Sequence, residues 1–570
     1  MASTENWQRD LLIAVVAWLV FSAVLIAHQL SLPPTLPLFP EGDDAMRMVM
    51  VEDLLHGAPW QNQGVPRDNT PYGGQMHWSA LVGVPLAGLT ALLGQRNASI
   101  IWPLLLLLPL MLLTVAATRR LVPAAGAGTI ATLVVLNIAV TSEFSPGRID
   151  HHNVQMVLVA AALLALVAGR RKAWGGALAG IILATALAVG IETLPIVAAV
   201  GLGYGVAWLA DPSGHRAGVL GFAAGLAGGL TAHLLIAMPP TLWLAAYCDA
   251  NSIVYVVAAC LATGALAGAA GFASTFRFWA RLCIVLGLGA VAVGVTVALF
   301  PQCLAGPYAG VDAGMLADIF PDIPEVKSFW QRVLESPELA IPFGGSVLLS
   351  LVLTGWLIHR HKGEARFDWL MLFCMLAAAA AVMLMQIRGA RLAAMLALPA
   401  GAWVIAFARQ YLRARPGVPA AALLIVGWLG FATWAQAIVL TLIATALFPS
   451  SGETTLTRIS DCLEERAYAD LTALPTARVA APSVLGPYIL LYTPHDILAA
   501  GYHRSGVAAR DALDFFRSET RAREIAAERG LTLVAACTAD AGLIEQLDQR
   551  ESLDALPGQS SALRLYRIRS

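Results

Sequence analysis

The chain has 570 residues, of which 58% are hydrophobic and only 13% are charged, and its mean hydropathy is +0.70. Soluble domains carry roughly 25% charged residues, so this composition excludes an ordinary soluble protein and predicts a polytopic membrane protein. The formal net charge of −1 gives no basic surface field. Nucleic acid is therefore excluded as an expected partner, whereas membrane lipids are expected neighbours.

The first predicted element is a membrane helix from Leu11 to Leu30, a stretch with the length of a bilayer span. Arg9 is offset by Glu5 and Asp10, which is untypical of the basic start of a signal peptide. We therefore expect this helix to be retained as the first span.

Apolar segments recur until about residue 448, after which charged residues become frequent. This change predicts an all-α membrane domain over residues 1–448 and a soluble domain over residues 449–570. Alternating patterns in the second part predict a small α/β domain. Its predicted elements are strands at Ala477–Pro482, Gly486–Tyr492 and Leu531–Ala536 and a helix at Asp511–Arg529.

Lysine and arginine concentrate in short loops, including Arg119–Arg120, Arg170–Lys172, Arg360–Arg366 and Arg409–Arg415. The positive-inside rule places these loops in the cytoplasm. The apolar stretch Ser79–Gln95 is too short to span and is interrupted by Pro85, so residues 31–98 are predicted to form one outer loop. We expect about thirteen spans in the cell inner membrane, a second large outer loop at residues 301–340, and a periplasmic C-terminal domain.

Two groups of ionisable residues stand out on the predicted outer side. Asp43 and Asp44 precede an amphipathic stretch and can bind a divalent cation or cap a helix. Asp150 and His152 form an i, i+2 pair, which an extended loop would direct to one side in preference to Arg148 or His151. A solvated loop or a second helix cap would explain this pair too, but charged residues beside a bilayer are costly to keep. A mixed carboxylate and imidazole set suits manganese, magnesium or zinc.

The seven cysteines fall into two groups. Cys260, Cys283 and Cys374 lie in predicted spans and are expected to be packing residues. The other four lie on the predicted outer side, where an oxidising periplasm permits Cys248 to pair with Cys303 and Cys462 with Cys537. The run Gly501–Arg504 can recognise an acceptor or fold the domain, and folding is favoured.

Three of these segments resemble motifs of the oligosaccharyltransferase catalytic subunit. The stretch Asp43–Leu55 resembles the first acidic motif, an aspartate before an amphipathic helix in the first outer loop. Pro71-Tyr72-Gly73 with His77-Trp78 resembles the Pro-x-Gly and His-Trp elements of archaeal and eukaryotic members. Asp150-His151-His152 resembles the second acidic motif, which can read Asp-His-His in archaeal members.

Two further segments resemble the family less closely. Asp322-Ile323-Pro324-Glu325 is similar to the Thr-Ile-x-Glu motif of the large fifth outer loop, with aspartate in place of threonine. Arg391-Leu392 is similar to an Arg-Phe element that contacts the lipid-linked phosphate. The ordinary explanation of Glu325 is an exposed carboxylate in a loop. The ordinary explanation of Arg388 and Arg391 is that they anchor the helix at the membrane interface.

The resemblance implies a GT-C fold and transfer of a sugar or oligosaccharide from a polyprenyl phosphate or diphosphate donor. It implies that Asp43, Asp150 and His152 hold Mn²⁺ or Mg²⁺, and that Arg391, together with Arg388, binds the donor phosphate. Asp43 and Glu325 would orient or deprotonate the acceptor, and Asp44 is the alternative to Asp43 in this role.

One family motif is missing. No Trp-Trp-Asp-Tyr-Gly sequence occurs, and in the family this motif reads the serine or threonine of the glycosylation sequon. The acceptor is therefore left open among protein, glycan and lipid, and a GT-C enzyme that moves a single sugar onto a lipid or glycan is an alternative. A transporter or flippase is the alternative from another class, although transporters usually place such carboxylates near the bilayer midplane.

Overall fold

The structure is a computed structural model that describes residues 4–32, 38–61, 64–169, 171–447, 460–558 and 562–569. Up to residue 447 it is almost entirely helical. The helices of this part are α1 (Thr4–Ser31), α2 (Gly42–Leu55), α3 (Ala80–Leu93), α4 (Gln95–Leu121), α5 (Ala127–Val135), α6 (Ile138–Thr141), α7 (His152–Gly169), α8 (Ala173–Val189), α9 (Leu194–Ala210), α10 (Pro212–Ala237), α11 (Ile253–Phe272), α12 (Phe278–Leu299), α13 (Ala313–Asp318), α14 (Phe329–Glu335), α15 (Pro337–Arg360), α16 (Gly363–Met385), α17 (Ala390–Ala414), α18 (Val418–Leu429) and α19 (Thr433–Leu447).

Among the described residues, ten helices are long and apolar enough to cross a membrane, and two bent pairs, α5 with α6 and α18 with α19, raise that number to twelve. The predicted number of about thirteen exceeds this by one, and the difference is α8. This helix has 17 residues, or about 25 Å at a rise of roughly 1.5 Å per residue, which is the lower limit for a span. The polytopic membrane architecture predicted from composition is confirmed.

The first and fourth helices run in opposite directions side by side. Asp10 near the start of α1 pairs with Arg119 near the end of α4, with Nε 2.7 Å from Oδ2. Both ends therefore lie at the same end of the bundle, and α2 and α3 lie together at the other, which we call the site end. As expected, the 14-residue helix α3 is too short to cross and forms part of the loop between α1 and α4.

The C-terminal part from residue 460 is an α/β domain with a five-stranded sheet of order β4-β3-β5-β7-β6. The β3 strand is parallel to β4 and β5, while β7 is antiparallel to β5 and β6. A two-stranded antiparallel ribbon, β1 with β2, lies in the first loop. The strands are β1 (Gly64–Val65), β2 (Gly74–Gln75), β3 (Arg478–Ala480), β4 (Asp496–Ile497), β5 (Leu533–Cys537), β6 (Leu553–Ala555) and β7 (Leu563–Ile568).

Two predictions for this domain were wrong. Gly486–Tyr492 is a helix and not a strand, because Pro487 in its first turn favours helix initiation and its apolar residues pack on α2. The single helix predicted over Asp511–Arg529 is two helices, Gly506–Arg517 and Glu519–Arg529, since Ser518 ends the first and caps the second. Ala469–Thr472 and Ala541–Asp548 are further helices among the described residues of this domain.

The C-terminal domain is docked onto the first loop. One apolar core contains residues of both, including Phe39, Met48 and Tyr488, and the Tyr488 hydroxyl donates to the Phe39 carbonyl at 3.1 Å. Arg67 donates to the carbonyls of Leu490 and Thr493 at 2.7 and 2.8 Å. The domain is therefore held at the site end of the bundle.

Disulfides join both cysteine pairs that the sequence singled out. Cys248 is bonded to Cys303, which connects the α10–α11 loop to the segment after α12. Cys462 is bonded to Cys537 within the C-terminal domain. The remaining cysteines, Cys260, Cys283 and Cys374, are free and lie in membrane helices.

Candidate active site

Asp43 and Asp44 begin α2 but have different surroundings. The buried Asp44 carboxylate accepts the backbone N–H groups of Ile149 and Asp150 through Oδ1, at 2.8 and 3.0 Å. Its Oδ2 pairs with Arg148 Nη1 at 2.9 Å. Asp44 therefore fixes the loop before α7, which leaves Asp43 as the carboxylate of this pair that lines the cavity described below.

Asp150 lies between two imidazoles and is 2% exposed. Its Oδ1 is 2.6 Å from His151 Nδ1, and its Oδ2 is 2.6 Å from His152 Nδ1. The two rings stack with centroids 4.4 Å apart. Ligand atoms of the three side chains lie within 4.8 Å of one another.

His151 therefore belongs to the same cluster as Asp150 and His152, which the i, i+2 argument did not predict. That argument assumed an extended loop, whereas α7 begins at His152 and residues 150 and 151 form the turn into it. In this turn three consecutive side chains converge. A carboxylate and two imidazoles are a suitable donor set for a divalent transition metal.

Negative charge accumulates around Asp43. Burial, together with the neighbouring carboxylates of Asp150 and Glu325, raises the pKa of Asp43 to about 7. Burial would also raise the pKa of Asp150, but the charges of His151 and His152 outweigh it and hold this pKa well below the usual range. A cation at this point would neutralise carboxylates that repel one another, so the residues fit a divalent metal.

Arg391, at the start of α17, connects two carboxylates. Its Nε is 2.7 Å from Glu143 Oε1, and its Nη2 is 2.6 Å from Glu325 Oε1. Its Nη1 is buried and has no hydrogen-bond partner among the described residues. Glu325 thus lies beside Arg391, and one N–H group of this arginine is without a partner in the described part of the chain.

Arg388 lies one turn earlier and lines the same cavity as Asp43. Its Nη2 donates to the Tyr308 hydroxyl at 2.5 Å, and its Nη1 is 3.7 Å from Glu192 Oε1. Within the described chain its buried Nε also lacks a partner. Together with Arg391, it offers two unpaired cationic N–H groups on one side of the site.

These groups surround a cavity of about 610 Å³ at the site end. Asp43, His151, His152, Glu325 and Arg388 all contribute to its lining. A much smaller pocket, of about 20 Å³, adjoins Arg388 and Arg391. Its apolar lining is formed by Met156, Ile196, Ala379, Val382 and Leu392, and Gln155 and Glu192 also line it.

The C-terminal domain supplies part of the cavity wall through Tyr502 and His503. His503 Nε2 is 2.8 Å from Asp249 Oδ2, and Arg504 binds both oxygens of Asp249 at 2.7 and 2.8 Å. The His77 ring lies 4.4 Å from that of His503, centroid to centroid. The run Gly501–Arg504, for which folding was the favoured role, therefore reaches the cavity.

Several residues of the site were not predicted as members. Glu143 and Glu192 are single carboxylates at the ends of apolar stretches, a signal that could have identified them. Arg47, whose Nη2 is 3.4 Å from Asp150 Oδ1, lies in the amphipathic stretch after Asp43 and gave no separate signal. Tyr502 lies in another domain, and no local pattern connects it to the site.

No protein-family model matches the sequence, and no curated protein matches it. Among solved structures, the archaeal oligosaccharyltransferase AglB from Archaeoglobus fulgidus, in complex with an inhibitory peptide and a dolichol-phosphate, superposes with a TM-score of 0.68 at 13% identity, over 100% of this chain and 75% of that chain. Its apo form gives 0.68 at 14% identity, over 93% and 69%. This chain has the GT-C fold. The complex of the same enzyme with Zn and sulfate gives a TM-score of 0.59 at 13% identity, over 97% of this chain and 72% of that chain. The GT-C architecture that the resemblance implied is confirmed.

Proposed function

We propose that this chain is a metal-dependent GT-C glycosyltransferase. It transfers a sugar or oligosaccharide from a polyprenyl phosphate or diphosphate to an acceptor at the periplasmic face of the inner membrane. One observation carries the proposal: a single cavity is lined by Asp43, Glu325, Arg388 and the two histidines of the Asp150 cluster, and Arg391 lies in the small pocket beside it. Each of the two arginines has one N–H group without a partner among the described residues.

The donor side is the region of Arg388 and Arg391. A guanidinium is planar and binds phosphate oxygens with two N–H groups at once, and Nε of Arg388 and Nη1 of Arg391 are free to do so among the described residues. Apolar side chains, among them Ile196, Val382 and Leu392, lie beside the two arginines, so a prenyl chain would leave the phosphate on this side. The AglB structure that holds a dolichol-phosphate supports this assignment by its shared fold.

Asp43, Asp150 and His152 would hold the divalent cation, with His151 beside them. The cation, Mn²⁺ or Mg²⁺, would stabilise the negative charge that develops on the leaving phosphate. The AglB complex with Zn and sulfate is compatible with a metal in this fold. Arg47 and Arg148 keep Asp150 and Asp44 in place through their ion pairs.

The acceptor side is the part of the cavity between Asp43 and Glu325. In the transfer step the acceptor nucleophile bonds to the anomeric carbon, and the bond from that carbon to the phosphate oxygen breaks. The proton of the nucleophile passes to a carboxylate, for which Asp43 and Glu325 are the candidates. Glu325 also contacts Arg391 at 2.6 Å, so the acceptor and donor sides share one ion pair.

The acceptor can be a protein, a glycan or a lipid, and transfer of a single sugar would use the same groups. The absence of Trp-Trp-Asp-Tyr-Gly from the sequence removes the reason to expect a peptide sequon. A transporter is less consistent with the site, since Asp43, Asp150 and Glu325 gather at one end of the bundle and not near its middle.

The test compares cells that carry Asp150→Ala with wild type and with Asp461→Ala, an exposed carboxylate of the C-terminal domain. We expect Asp150→Ala cells to accumulate the lipid-linked sugar and to lose its glycan product, while Asp461→Ala cells resemble wild type. The measurement is mass spectrometry of extracted lipid-linked sugars and of surface glycans. Unchanged donor pools and products in Asp150→Ala cells would contradict the proposal.

A further inference from the structure

A tyrosine of the C-terminal domain binds the carboxylate that begins α2. The Tyr502 hydroxyl donates to Asp43 Oδ1 at 3.0 Å, and it is also 3.4 Å from the Gly42 carbonyl. This tyrosine follows β4, in the segment between the sheet and helix Gly506–Arg517. Its hydroxyl therefore connects the domain to the Asp43 side of the proposed metal site.

The same side chain is connected to the Asp150 side. The Tyr502 ring packs edge-on against Trp78, with centroids 5.4 Å apart. Trp78 in turn lies under Arg47, whose guanidinium carbon is 4.3 Å from the ring centroid, and Arg47 pairs with Asp150. A continuous set of contacts therefore runs from Tyr502 to both carboxylates of the site.

The segment that carries Tyr502 is held on both sides. Before it, the Ala500 backbone N–H donates to Asp68 Oδ1 at 2.9 Å. After it, Arg504 binds Asp249 through two hydrogen bonds and donates to the Met76 carbonyl at 2.9 Å. Because these anchors belong to the first loop and to the α10–α11 loop, the position of Tyr502 depends on domain docking.

We propose that Tyr502 is a positioning residue that orients the Asp43 carboxylate for the divalent cation, so that the C-terminal domain completes the metal site. The inference rests on the proposed function, because it assumes that Asp43 is a ligand. Hydrogen bonds to metal-ligating side chains fix their orientation, and losing one typically costs roughly 10- to 100-fold in metal affinity. A carboxylate without this bond would turn between orientations and would bind the cation less tightly.

The test is Mn²⁺ binding by the purified full-length protein, followed by the electron paramagnetic resonance signal of free Mn²⁺. Tyr502→Phe removes the hydroxyl and keeps the ring against Trp78. The matched control is Tyr566→Phe, which removes another tyrosine hydroxyl of the same domain that donates to an aspartate, Asp548 Oδ1, at 3.0 Å. We expect Tyr502→Phe to raise the Kd about 10- to 100-fold, and Tyr566→Phe to leave it unchanged.

A double variant separates positioning from a general effect on folding. In an Asp43→Asn background, Tyr502→Phe should change the Kd little further, since its effect passes through Asp43. A wild-type Kd for Tyr502→Phe, or an equal loss in Tyr566→Phe, would overturn the inference. A wild-type protein that does not bind Mn²⁺ would contradict the metal dependence of the proposed function itself, and the inference would fail with it.

Discussion

At the residue scale, adjacent aspartates have separate tasks. Asp43 borders the cavity and accepts one hydrogen bond from Tyr502, whereas Asp44 is fully buried and bonds to the loop before α7. The side chains diverge because neighbouring positions on a helix point about 100° apart. The difference assigns chemistry to Asp43 and stability to Asp44.

Substitutions at Asp43 and Asp44 should therefore affect different properties, the transfer rate at Asp43 and the thermal stability at Asp44. We expect Asp44→Ala to lower the melting temperature of the purified protein, because it leaves the backbone N–H groups of Ile149 and Asp150 without their acceptor, a loss of about 1–3 kcal/mol for each unpaired group. Asp43→Asn should keep the wild-type melting temperature and lower the transfer rate roughly 10²-fold or more. The measurements are thermal unfolding and transfer activity of each variant. A destabilised Asp43→Asn protein together with a stable but inactive Asp44→Ala protein would reverse the assignment.

Arg388 provides the residue-scale test of the donor side. Arg388→Ala removes a charge-assisted contact to phosphate worth about 1.5–3 kcal/mol, so the KM for the donor should rise roughly 10- to 100-fold. Arg360→Ala, at the end of α15 and away from the site, is the matched control and should leave this KM unchanged. An unaltered donor KM in Arg388→Ala would exclude the phosphate assignment.

Individual site residues were predictable where a charge interrupts an apolar sequence. Asp150 stands out for this reason, whereas Glu325 and Arg391 were reached through their resemblance to family motifs. The structure brings the three residues to one end of the bundle. The roles of His151 and Tyr502 were not predictable. The first depends on where α7 begins, and the second on a contact between residues 459 positions apart.

At the scale of elements, the loop before α7 is formed by a glycine. Gly147 has a φ of +90°, and a Cβ atom there would lie 1.9 Å from the Leu38 carbonyl oxygen. The loop must therefore turn sharply and pass close to the chain before α2. Its path brings Asp150 to the first loop.

Gly147→Ala should disturb both this loop and the metal site. The side chain would meet the backbone and would also strain the positive φ, so we expect a lower melting temperature and weaker Mn²⁺ binding. Gly287→Ala in α12 is the control, because a Cβ there has nothing within 4 Å, and alanine favours a helix by about 1 kcal/mol. A Gly147→Ala protein with wild-type unfolding and Mn²⁺ binding would show that the loop is more tolerant than its contacts indicate.

The elements followed from the sequence where their length and polarity decide their structure. The long apolar stretches predicted the membrane spans. The short length of α3 predicted that it belongs to the first loop and does not cross the membrane. The prediction of a strand at Gly486–Tyr492 was wrong because a short apolar run has no periodicity that separates a strand from a helix. Its helical form depends on the surface of α2, against which it packs.

At the scale of the whole molecule, the C-terminal domain, the first loop and the membrane helices meet around one cavity. Composition and charge gave the division into a membrane part and a small α/β part. The docking between them depends on contacts such as Tyr502 with Asp43 and Arg504 with Asp249, which no local pattern contains. The side of the membrane on which they meet stays a prediction of the positive-inside rule.

Reporter fusions test that prediction. Alkaline phosphatase, which folds only in an oxidising compartment, should be active when fused after Arg569 and inactive when fused after Lys362, in the basic loop between α15 and α16. Enzyme activity of cells carrying each fusion is the measurement. Activity after Lys362 together with inactivity after Arg569 would invert the topology and would place the cavity in the cytoplasm.

The most direct test of the central claim uses the purified chain with a lipid-linked sugar fraction and an acceptor fraction from the same membranes. We expect the donor to be consumed, its polyprenyl phosphate or diphosphate to be released, and the sugar to appear on the acceptor. Chelation with EDTA should stop the transfer and added Mn²⁺ should restore it, while Asp150→Ala should not support it at all. Donor consumption that is equal in wild type and Asp150→Ala, or that continues undiminished in EDTA, would contradict a metal-dependent glycosyl transfer at this site.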